Sequence, residues 1–65
     1  MKTVPHMFAE LTAQTEDFHS LTVEGQRRDN SPDMQRAIAS HLRMAMAAMD
    51  GIVGQIKQRL GDTHD

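Results

Sequence analysis

Apolar residues recur at steps of three and four in two stretches of this chain, separated by one polar cluster. In the first stretch the repeat is carried by Val4, Met7, Phe8, Leu11, Thr15, Phe18, Leu21 and Thr22. At about 100° per residue these positions share one face, the signature of an amphipathic helix. The spacing predicts a helix over about residues 5–24. Pro5 suits its first turn, where a missing N–H costs nothing. Gly25 is the expected C-terminal cap. Thr15 and Thr22 weaken the stripe.

The second stretch carries Ile38, Leu42, Ala45, Met49, Ile52 and Ile56, with Met34 and Leu60 extending the line. This is the heptad-like seam of helices packed at a shallow angle. It predicts a second helix over about residues 32–60, with the turn at 25–31. Ser31-Pro32-Asp33 is a start signal: a hydroxyl cap, a proline for the first helical position and an acid for the positive end of the dipole. Five alanines add helix propensity, whereas Gly51 and Gly54 oppose it by about 1 kcal/mol each, so a bend near Asp50-Gly51 is one reading. Gly61 reads as a cap before a frayed tail, and Met1–Thr3 as a short leading tail.

A short connection favours antiparallel neighbours. The expected fold is therefore all-α: one helical-hairpin domain over residues 1–65, dimerising into a four-helix bundle. Folding about Arg28-Asp29 places residue 18 near 39, 11 near 46 and 4 near 53. In that register Ile56 and Leu60 overhang the end of the first helix and lack cover in their own chain. The apolar surface of the second helix is also wider than one neighbour buries. Phe8, Leu11, Phe18, Ile38, Leu42, Met49, Ile52, Ile56 and Leu60 are the expected core and dimer residues. The first helix holds Glu10, Glu16, Asp17 and Glu24 and the second Arg36, Arg43, Lys57 and Arg59, so complementary sides are expected to pair.

Size strengthens the case for self-association. Ordering 65 residues costs roughly 100 kcal/mol at about 1.5 kcal/mol each, which apolar burial in one short chain barely offsets. There is no cysteine, so neither disulfides nor thiolate metal sites are available. A formal charge of −2 argues against a dedicated nucleic-acid binder. No apolar run approaches the roughly 20 residues of a membrane span. Polar residues from Thr12 to Asp17 interrupt any signal-peptide core. A soluble, cytoplasmic protein is expected.

Candidate chemistry is sparse. His6, His19, His41 and His64 are numerous for so short a chain. Glu16 and His19 have i,i+3 spacing, and His19 and His41 are expected at similar heights. A metal site needs three or four converging ligands, and the histidines read first as polar residues flanking a core. There is no nucleophile elbow, phosphate loop or Walker pattern. Gly51-x-x-Gly54 reads as close helix approach or a bend. The expectation is a non-enzymatic protein without metal or cofactor. Arg27-Arg28 at the turn suits phosphate contact, but the two phenylalanines are needed for the core rather than for base stacking.

Protein binding fits better. Met34, Met44, Met46 and Met49 crowd the second helix, and adaptable surfaces overuse methionine. Arg27, Arg28, Met44, Ala48 and Gly51 are the expected partner contacts.

Leu11-x-x-x-Thr15-Glu16-x-Phe18, a polar turn with Asp29 and Ser31, and the run Ala45 to Ala48 followed by Asp50 and Gln55 resemble the phage quorum-sensing anti-activator family. This is a class of small phage-encoded, cysteine-free helical-hairpin dimers. The present chain has few aromatic residues and a methionine cluster. The resemblance implies an inhibitor working in the cytoplasm of a bacterial host by masking a host protein: a LuxR-type transcription activator or a pilus-assembly ATPase. A Rop-like RNA-binding bundle and a structural or scaffold oligomer remain as alternatives.

Overall fold

A computed structural model describes residues 2–61. The expected tail after Gly61, with His64, lies outside the described residues. Two helices, α1 (Val4–Gly25) and α2 (Pro32–Arg59), account for the secondary structure, and no strand occurs among the described residues. They form an antiparallel hairpin measuring 46 × 20 × 18 Å.

The helix ends follow from local chemistry. Thr3 caps α1: its Oγ1 accepts from the His6 N–H at 3.2 Å, and Pro5 stands in the first turn. Ser31 does the same for α2, accepting from the Met34 N–H at 3.1 Å ahead of Pro32. Each cap satisfies an N–H that has no partner inside the helix. At the far end of α2, Gly61 takes φ +71, the left-handed conformation that favours glycine after a helix. Gly25, expected to play that part for α1, does not. It is the last helical residue, and the cap is Gln26 with φ −83. The chain tightens in a right-handed sense instead, with Gln26 N–H donating to Val23 O and Arg27 N–H to Glu24 O. α2 runs as one helix through Asp50, Gly51 and Gly54.

That tightening carries the chain past the end of α1 before it reverses, and it changes the register. Gly25 faces Ile38, whose Cγ2 would lie 3.7 Å from an added Cβ. The guanidinium of Arg59 donates to the Lys2 carbonyl at 2.7 Å. Folding about residues 28–29 would instead have set 25 beside 32 and 2 beside 55. The pairing is displaced by more than one helical turn. The extra length of α2 therefore projects at the loop end, around Pro32–Ala37, and not at the open end. Ile56 is accordingly not an uncovered overhang residue but one of the three most buried side chains, at 5% exposure, with Met7 at 3% and Ile38 at 8%.

Leu11, Phe18, Leu21, Leu42, Ala45, Met49 and Ile52 are half-buried between the helices. Phe8 and Leu60, placed with the core from the sequence, are 52% and 65% exposed in the single hairpin. Phe8 follows Met7 by one residue, about 100° round the helix, so with Met7 buried against α2 it is turned to the flank. Leu60 falls just past the last turn of α2, beyond the reach of α1.

Candidate protein interface

The two grooves flanking the helix–helix seam differ in chemistry. Glu10, Asp17 and Glu24 recur every seven residues along one edge of α1, so at about 100° per residue they stay within one narrow strip. They border the groove in which Asp17, Ser20, Leu21 and Glu24 meet His41. Further along the same side, Lys2 and Met7 meet Gln55, Gln58 and Arg59. His19 stands two residues on from Asp17, about 200° round the helix, so it belongs to the opposite side from His41. Similar height does not bring these two together. Among the described residues no group of three or more histidines and acids is placed to hold a metal ion.

Two acids of α1, Glu10 and Glu24, are answered by residues outside α2. Lys2 Nζ donates to Glu10 at 2.7 Å. Arg27 donates to Glu24 at 3.0 Å and, through Nε and Nη2, grips both oxygens of Asp29 at 3.1 and 2.8 Å. The Asn30 amide closes the loop by donating to the Glu24 carbonyl at 2.8 Å. Arg36 turns back to Asp33 within α2. Arg27, a sequence candidate for partner contact, is thus the clasp of the turn: Asp29 first, then Glu24, raise its already high pKa further. Arg28 beside it is exposed.

The hydrogen bond from Lys2 holds the Glu10 carboxyl below its ordinary value of 4.5. A carboxylate whose folded pKa is depressed contributes stability above its unfolded pKa, and that contribution disappears as pH falls through the folded value. Lys2 is exposed and Glu10 only half-buried, so the contribution is small. In a Lys2→Met variant the Glu10 titration, followed by NMR, should move to higher pH. An unchanged midpoint would mean that the pair does not persist in solution.

The remaining partner candidates lie on α2. Met44 is 71% exposed, the highest value among the large apolar residues of the described chain. It shares a shallow patch with Arg36, Ala39, Ser40 and Arg43 on the back of α2. Ala48 and Gly51 continue the line one turn and two turns on, and both are exposed. An added Cβ on Gly51 or Gly54 would meet nothing within 4 Å. The hairpin's own packing therefore requires neither glycine.

The opposite groove was harder to read from sequence. On helix geometry its walls are Phe8 and Leu11 of α1 with Leu42, Met46, Val53 and Leu60 of α2. Thr15 and Thr22 sit among them. Their hydroxyls donate to backbone carbonyls of their own helix, Thr15 to Thr12 at 2.8 Å and Thr22 to His19 at 2.7 Å. With the hydroxyl satisfied internally, each threonine presents its methyl, and the face stays apolar where the sequence looked interrupted. Phe8, Met46, Val53 and Leu60 are all exposed.

These features define a two-helix hairpin with one acid-edged groove, one apolar groove and an exposed methionine ridge on the back of α2. No helix among the described residues is long and apolar enough to cross a membrane. No family model, curated protein or solved structure matches the chain.

Proposed function

We propose that this chain is a non-enzymatic protein-binding module that works as a homodimeric four-helix bundle and inhibits a partner by covering it. The observation that carries the reading is the ridge of Met44, Ala48 and Gly51. A large flexible apolar side chain stands there mostly in solvent beside small residues. Methionine adapts to irregular partners, and alanine and glycine let another backbone come close. Arg36 and Arg43 flank Met44, so the partner is expected to offer an apolar strip bordered by acids. The RNA-binding alternative depended on Arg27-Arg28, and Arg27 is committed to Asp29 and Glu24.

The resemblance to phage anti-activators supplies the partners to try: a LuxR-type activator and a pilus-assembly ATPase. The test places a photo-reactive methionine analogue at position 44 and mixes the protein with each purified candidate. A cross-link to one of them, lost in Ala48→Arg and accompanied by loss of that partner's DNA binding or ATPase activity, is the expected result. Full partner activity at saturating protein for both would remove these two targets. Retardation of structured RNA that weakens steeply with salt would overturn the protein-binding reading itself.

A further inference from the structure

We infer that the apolar groove of Phe8, Leu11, Leu42, Met46, Val53 and Leu60 is the surface on which a second copy of this chain docks, and that the acid-edged groove and the Met44 ridge stay outside that contact. The inference rests on the self-association in the reading above and assigns it a face.

Shape and area point to one more copy. A compact domain of 65 residues has a radius of gyration of about 11 Å, and one of 130 residues about 14 Å. The hairpin measures 15.0 Å. It has the reach of a compact body of twice its mass, as half of a bundle would. The hairpin exposes 5223 Å². A compact monomer of 7.3 kDa is expected to expose about 4,200 Å². The excess of about 1,000 Å² is comparable with the roughly 800 Å² that each partner contributes to a stable interface.

Symmetry selects the face. A two-fold contact sets one patch against the same patch of its mate, so a self-docking face must tolerate its own charges. The acid-edged groove does so at a cost: Asp17 and Glu24 at one end and Lys2 and Arg59 at the other would all be taken out of water by such a contact. The back of α2 would bring Arg36 and Arg43 towards their own copies. The walls of the groove of Phe8 and Val53 are apolar, its outer edge on α2 carries both signs in Asp50 and Lys57, and its threonine hydroxyls donate to their own helix. It can therefore meet itself without leaving an unpaired polar group buried. Phe8, 52% exposed within one chain, lines it, and Leu60 stands at its open end, so one contact would cover both.

The experiment is sedimentation equilibrium at micromolar concentration, with helicity and thermal unfolding followed at several concentrations. The wild type is expected at twice the chain mass, with a melting temperature that rises with concentration, as mass action requires. Val53→Glu should weaken association roughly 100-fold or more by setting a carboxylate into the apolar contact, whereas Met44→Glu should leave the mass and the concentration dependence unchanged. Should Val53→Glu lose its helicity, Met46→Lys provides a second probe of the same groove. Retained pairing in both groove variants, with pairing lost in Met44→Glu, would overturn the assigned face and leave self-association standing. A wild type of single-chain mass, with a melting temperature independent of concentration, would overturn the second copy itself. The partner-masking reading would still be judged by its own cross-linking test.

Discussion

Ile56→Ala should lower the unfolding free energy by about 2–5 kcal/mol, the loss expected when a buried isoleucine is cut back to alanine. A core of this size rarely supplies more than about 3–5 kcal/mol, so this one change removes most of the stability. Met44→Ala, made at a side chain 71% exposed, should stay within about 0.5 kcal/mol of the wild type. Urea titration followed by circular dichroism measures both, at one fixed protein concentration so that any self-association contributes equally to the two variants. The comparison tests the register directly. If Ile56 overhung α1, its truncation within the hairpin would resemble that of Met44. Equal losses in the two variants would mean that Ile56 is not buried between the helices.

The second large effect has the opposite sign. Gly51 and Gly54 lie inside α2 with helical φ and open space where a Cβ would stand. Glycine in a helix interior costs about 1 kcal/mol relative to alanine, chiefly through the freedom it has in the unfolded chain. The double substitution Gly51→Ala, Gly54→Ala should therefore stabilise the protein by about 1–2 kcal/mol, and the mass in solution should stay that of the wild type, since both positions face away from the apolar groove. A gain in stability together with weaker binding of the partner would show that the glycines serve close approach by that partner. A loss of stability would mean that something in the folded protein occupies the space beside them.

Much of the fold is legible along the chain. The stripes of α1 and α2, the Ser31-Pro32-Asp33 start and the glycine after α2 all rest on interactions within a few residues, which composition and spacing express directly. The candidate interface is legible in part. Met44 stands out from the stripe of α2 on periodicity alone, and its exposure follows. The apolar groove is less visible because Thr15 and Thr22 look like interruptions until their hydroxyls are seen bonding back to their own helix. Thr3, a capping hydroxyl ahead of Val4-Pro5, was readable by the same rule as Ser31, and the tail reading of Met1–Thr3 passed over it.

The sequence by itself determined that there are two amphipathic helices and one reversal, because helix periodicity and capping are local and each residue type carries its own preference. Tertiary structure alone decided which residues face one another. The path of residues 26–31 past the end of α1 displaces the pairing by more than a turn, and no local signal records where a loop sets its second helix down. Only that placement buries Met7 in preference to Phe8 and turns Ile56 inward. It also divides the flanks into an acidic groove and an apolar one, because a groove is made by two helices and belongs to neither stripe alone.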